Sequence, residues 1–129
     1  PTTPAGFKTK SSPQGTIEHP FNVGELAIGA QGTFFARTVD TSPKMMADVM
    51  LEASQHKGTS LMEIMQNCVI FNDKTHNAFT SRETRDDMQL HLVHGEPMIF
   101  GKEKDKGIIL KGTRLEVVKI IMCGKMTMH

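Results

Sequence analysis

His56-Lys57-Gly58-Thr59-Ser60-Leu61-Met62-Glu63-Ile64-Met65-Gln66-Asn67-Cys68-Val69-Ile70-Phe71-Asn72 is the stretch whose reading decides the fold class. A helix is expected to end at its start. His56 and Lys57 fall in a last turn, where cations complement the negative end of the dipole, and Gly58 stands where a left-handed C-cap belongs. Leu61 to Met65 is apolar but for Glu63, the pattern of a strand covered on both faces, as in a parallel sheet. A carboxylate inside such a strand must be paired, hydrogen-bonded or neutral; the simplest expectation is that Glu63 caps the backbone amides of a neighbouring loop. In open parallel sheets, ligands gather beyond the carboxyl ends of the strands, and Cys68 lies just beyond this one.

Upstream, the same logic repeats. Ser42-Pro43 starts a helix, with serine as cap and proline at the first helical position. Its apolar stripe is Met46, Val49, Met50 and Ala53. Thr33 to Thr38 is a β-rich run containing Phe34 and Phe35. Before it, Asn22 and Glu25 have the spacing of a capping box, Val23, Leu26, Ala27 and Ala30 recur at helical spacing, and Gly32 closes the helix. Helix, strand, helix, strand with short connections predicts a layered α/β sheet over about residues 22–72, its strands at 33–38 and 60–66 parallel. Residues 1–21 are a proline- and glycine-rich loop carrying Lys8 and Lys10; such a loop is either functional or a loose end left by truncation.

Downstream the texture changes. Thr80 and Glu83 are placed to cap a short turn through the charged run Arg82 to Asp87. Met88, Leu90 and Leu92 then alternate with Gln89 and His91, and His94-Gly95 is a turn signal. The expectation is a hairpin returning through Met98-Ile99-Phe100, ahead of a competing helix over 82–93. Ile108 to Leu110 and Leu115 to Val118, joined by Lys111-Gly112, form a second expected hairpin. The run Lys102 to Lys106 between them reads as a solvated loop. The tail is thus a small antiparallel appendage.

Fifteen basic residues against fourteen acidic ones leave no polyelectrolyte signal, so nucleic acid and anionic membranes are not expected partners. No window of the length that crosses a bilayer is apolar, and no signal-peptide pattern opens the chain. A chain starting on Pro1 reads as an excised piece of one-domain size. Two cysteines, Cys68 and Cys123, are too few for a small secreted framework, which favours a reduced, cytoplasmic setting. The six histidines show no metal-binding spacing on a credible helix, and no nucleotide loop or nucleophile elbow is present. Cys68 has His56 and His76 near it in sequence, without the local signature of a nucleophile. On residues alone this is an α/β fragment with one well-placed thiol.

The chain resembles the thiamine-diphosphate-binding beta subunit of 2-oxoacid:ferredoxin oxidoreductases, most of all the 2-oxoglutarate type, and specifically its C-terminal part. Pro1-Thr2-Thr3-Pro4 with Lys8-Thr9-Lys10-Ser11 is similar to the loop following that family's Gly-Gln-x-Ser-Pro-Thr-Thr motif. Glu18-His19-Pro20-Phe21-Asn22, Ala27 to Arg37, and the opening stretch up to Phe71-Asn72 continue the likeness. Gly95 to Gly101 and Lys104-Asp105-Lys106-Gly107 are similar to the family's C-terminal hairpins.

The resemblance implies half of a thiamine-diphosphate-binding layered α/β fold with an antiparallel C-terminal extension. The divisions are a loop near the cofactor edge at 1–21, the α/β portion at 22–76 and the hairpin extension at 77–129. It implies oxidative decarboxylation of a 2-oxoacid, with electrons passing through an iron–sulfur cluster to ferredoxin and the acyl group taken by coenzyme A. Thr2 and Thr3 then line the edge of thiamine diphosphate, and Cys68 is one thiolate ligand of a 4Fe-4S cluster. No catalytic side chain is assigned. The other three thiolates, the magnesium-binding Gly-Asp-Gly motif and the alpha (or fused gamma-alpha) subunit are expected outside these residues, so the chain by itself is expected to be inactive. Many relatives carry proline before this cysteine; here Asn67 leaves a backbone N–H available. A stand-alone interaction or regulatory module that kept the fold and lost the chemistry is the alternative.

Overall fold

The computed structural model describes residues 3–120. They divide into two compact units, within 1–76 and 77–129. In the first, α1 spans Val23–Gly29, β1 Phe34–Val39, α2 Pro43–Gln55 and β2 Ser60–Met65. The two strands pair in parallel, Phe34 opposite Ser60 through Val39 opposite Met65. That is the predicted arrangement, and α2 is the crossover that parallel strands require, lying against both.

The caps show why these segments are helical. Asn22 caps α1, its side-chain oxygen accepting from the Gly24 N–H at 3.0 Å. Glu25 completes the box differently from expectation, accepting from the Asn22 side-chain amide at 3.1 Å. Gly24 is where α1 meets the sheet: a Cβ there would lie 2.7 Å from the Phe35 ring. Pro43 opens α2 at its first position, and the Ser42 side chain makes no capping hydrogen bond. The end of α2 differs from the sequence reading. The helix stops at Gln55, and His56 is already extended (φ −67°, ψ 130°), so His56 and Lys57 do not form a last turn. His56 instead crosses to β1, its Nε2 2.7 Å from the Thr33 hydroxyl and its ring 5.5 Å from that of Phe34. Gly58, at φ +148°, is no helix cap; a Cβ there would collide with the Thr33 hydroxyl.

Burial is thin. Among the described residues, Ala27 and Val39 are the buried hydrophobic ones and Thr38 the buried polar one. β2 is half-buried along most of its length rather than covered on both faces. Glu63 makes an ion pair with its cross-strand neighbour Arg37, Nε to Oε2 at 2.6 Å, and caps no loop.

The second unit holds α3 (Asn77–Thr80), α4 (Arg85–Met88), β3 (Ile99–Phe100), β4 (Lys106–Lys111) and β5 (Arg114–Lys119). β4 and β5 form the expected hairpin, and β3 joins the antiparallel sheet beside β4. The hairpin predicted from Met88 to Phe100 does not form: residues 89–98 carry no strand, and Ile99 and Phe100 pair with Gly107 and Lys106. The run from Lys102 to Lys106 is only partly a free loop. Lys106 opens β4, and its ammonium sits 2.8 Å from Asp87 Oδ1.

Candidate functional site

Both parallel strands run out at the same end. There Asp40 extends the pairing by one rung, its N–H donating to the Met65 carbonyl at 3.2 Å. Its carboxylate then accepts from the Asn67 backbone N–H at 3.0 Å. Cys68 follows, so its predicted place beyond the carboxyl end of β2 is the observed one.

The thiol sits at the start of a tight turn. The Asn72 N–H donates to the Cys68 carbonyl at 2.9 Å. One side chain then closes the whole loop. Asn67 Nδ2 donates to Asp73 Oδ1 at 2.9 Å, while Asn67 Oδ1 accepts from the Lys74 N–H at 2.8 Å. Lys74 is left-handed there (φ 62°). Cys68 is exposed, and the backbone amides of Phe71 first and Ile70 second, with a weaker effect of Asn72, hold the thiol below its usual range against an opposing effect of desolvation. Amide donors favour the thiolate, the form that binds metal. Beside it, Val69, Ile70 and Phe71 are 75, 68 and 56 % exposed.

The loop before α1 carries backbone hydrogen bonds of its own. Gly6 donates to the Thr16 carbonyl at 2.6 Å, and Thr16 returns both its N–H and its hydroxyl to Phe7 at 3.1 Å. A cleft of about 540 Å³ is lined by this loop and by the cysteine turn; Thr3, Thr9, Ser12, Thr16, His19 and Phe71 face it. Thr3 therefore shares a cleft with the turn of Cys68, although Cys68 itself is not on its wall. Thr2 and Cys123 lie outside the described residues.

Among the described residues no three His, Cys, Asp or Glu side chains come together to hold a metal. Cys68 is a free, exposed thiol, and no second cysteine stands beside it among those residues. Sequence reading missed Asp40 as the anchor of the turn. The available signal was the density of Asn and Asp around the cysteine (Asn67, Asn72, Asp73), residues whose short side chains bond nearby backbone.

The chain is 40 % identical over 119 residues to the 2-oxoglutarate oxidoreductase subunit KorB of Mycobacterium tuberculosis, covering 92 % of this chain and 32 % of that protein. It is 43 % identical over 68 residues to the 2-oxoglutarate synthase subunit KorB of Archaeoglobus fulgidus, 53 % of this chain and 26 % of that one. The beta subunit of the 2-oxoacid:ferredoxin oxidoreductase of Saccharolobus solfataricus is 36 % identical over 73 residues, 57 % of this chain and 24 % of its own length. The chain thus spans a third or less of these relatives. No family model matches it. No solved structure matches it. With an ordered cysteine turn and relatives of one kind, the chain is homologous to part of the beta subunit of the 2-oxoglutarate and 2-oxoacid:ferredoxin oxidoreductases.

Proposed function

We propose that the chain works as part of the beta subunit of a cytoplasmic 2-oxoglutarate:ferredoxin oxidoreductase. In this reading Cys68 supplies one thiolate to a 4Fe-4S cluster, and the loop containing Thr2 and Thr3 borders thiamine diphosphate and its magnesium within a layered α/β fold. Thiamine diphosphate, when bound, supplies the decarboxylation chemistry. The residues of this chain position and enclose. The alpha subunit, ferredoxin, coenzyme A and the 2-oxoacid complete the assembly. The observation that carries the reading is an exposed cysteine at the carboxyl end of a parallel strand pair, in a chain so closely related to KorB. The exposure of Leu26, Ile28, Leu51 and Ile70 adds support, since apolar surface of that kind is normally covered by a partner.

The test is Cys68→Ser in the complete subunit assembled with its partner, with iron content, the cluster's electron paramagnetic signal and ferredoxin reduction measured together. Loss of all three is expected, and an intact cluster would show that the ligand is another residue. The 129-residue chain alone is expected to bind neither thiamine diphosphate nor four irons, by calorimetric titration and iron analysis after anaerobic reconstitution.

A further inference from the structure

We propose that the bare face of the β4–β5 hairpin is the surface through which the second unit docks on the alpha subunit, against an acidic patch with aliphatic side chains at its centre. The proposal rests on the reading of the chain as part of a beta subunit. Across the two strands Ile108 stands opposite Val117 and Leu110 opposite Leu115, so the four side chains share one face. The other face is the packed one: Gly107 is buried there, and a Cβ on it would lie 3.0 Å from Ile120. On the aliphatic face only the end nearest β3 is covered, where Lys106 meets Asp87 and lies over the Phe100 ring. Ile108 is half-buried, while Leu110, Leu115 and Val117 are 68, 66 and 63 % exposed.

The charge around this face is one-sided. Residues 106–119 hold four basic residues (Lys106, Lys111, Arg114 and Lys119) and one acidic residue (Glu116), a net charge of +3, which leaves −2 for the rest of a chain whose total is +1. Lys106 is neutralised by Asp87 and Lys111 by Glu116. Arg114 and Lys119, at the two ends of β5, have no ion pair among the described residues. An aliphatic strip framed by free cations selects what can cover it. Two copies meeting about a two-fold axis would press these cations against their own kind. Anionic membranes take up segments with about four to eight clustered cations, and here two stand apart with aliphatic side chains between them. A carrier that comes and goes would leave the strip bare most of the time, a liability in a protein that must stay soluble. A permanent neighbour answers both features: its aliphatic centre buries Leu110, Leu115 and Val117, and carboxylates at its rim meet Arg114 and Lys119. The relatives of this chain are themselves subunits.

The experiment uses the complete beta subunit purified with its alpha subunit. Arg114→Glu with Lys119→Glu reverses the frame, Val117→Asp charges the centre, and Arg114→Ala with Lys119→Ala removes the frame without opposing it. The readouts are the dissociation constant on dilution at low and high salt, and amide hydrogen exchange over 106–119 at concentrations where the subunits stay together. The reversed frame and Val117→Asp should each weaken assembly about tenfold or more, and the alanine pair less. Added salt should weaken the parent assembly and affect the alanine pair less. Exchange in the hairpin of the assembled variants should match the parent. Assembly of parent strength in both the reversed frame and Val117→Asp overturns the proposal. So does faster exchange while the subunits remain together, which marks a face packed inside its own subunit. A raised KM for ferredoxin with assembly unchanged gives the face to the carrier and overturns it too, as does binding of the parent to phosphatidylserine vesicles that the reversed frame abolishes. Reduction of ferredoxin with 2-oxoglutarate by the parent assembly tests the underlying reading separately. Its absence, with assembly weakened in the variants, overturns that reading and keeps the docking face.

Discussion

Thr38 is 2 % exposed, and its hydroxyl has no partner among the described residues. A buried hydroxyl without a hydrogen bond forfeits its hydration, and valine has nearly the same shape without that loss. Thr38→Val should leave stability unchanged or raise it by about 1 kcal/mol, read as a shift in the urea midpoint. A clear destabilisation would mean that the hydroxyl has a partner in the assembled protein. One position earlier, Arg37 and Glu63 are unequal partners: their side chains are 48 and 11 % exposed. Arg37→Ala strands a nearly buried carboxylate and takes away a guanidinium lying 5.8 Å above the Phe35 ring, which should cost about 1–3 kcal/mol. Glu63→Gln leaves a half-exposed cation that water can reach, at a cost below about 1 kcal/mol. Equal losses would show that the pair is not anchored where its exposures place it.

Among the elements, α1, β1, α2 and β2 were legible because their signals are local: an Asn cap, Pro43 at a first turn, apolar runs of strand length. The end of α2 was not, because Lys57-Gly58 is a common helix stop, and what overrode it is a tertiary contact of His56 with Thr33 and Phe34. The alternation after Met88 misled for a similar reason. Period two identifies extended chain without naming its partner, and β3 took the edge of β4 instead of a nearer arm. Ion pairing steadies that unit. Hydrogen bonds from the Lys106 ammonium first and the Lys102 N–H second, with the charge of both lysines, hold the Asp87 carboxyl below its usual range. A group depressed in the folded state contributes fully above its unfolded value, and the contribution drains away as pH falls through the folded one. The second unit should therefore lose stability progressively below about pH 4, and Asp87→Asn should flatten that part of the profile. Urea midpoints of the two proteins between about pH 5 and about pH 3 check it; parallel curves would remove Asp87 as the cause.

For the whole molecule, the site divides into what the chain could announce and what only folding assembles. Cys68 was visible as a thiol past a strand. Its tether was not, because Asp40 and Asn67 are 27 positions apart and no periodicity links them. That separation also governs time. β4 and β5 meet across a two-residue turn at Thr113 and Gly112, a closure that costs little chain entropy and is completed in microseconds. Arg37 and Glu63 are 26 residues apart, so the parallel pair must order α2 and two connections before any rung repays it. Pulse-labelled exchange during refolding should accordingly protect 106–119 before 34–65, and simultaneous protection would argue against this order. The turn holding Cys68 hangs from the slower pair. During folding the thiol is thus among the last groups to find its place, a window in which an exposed cysteine is open to oxidants.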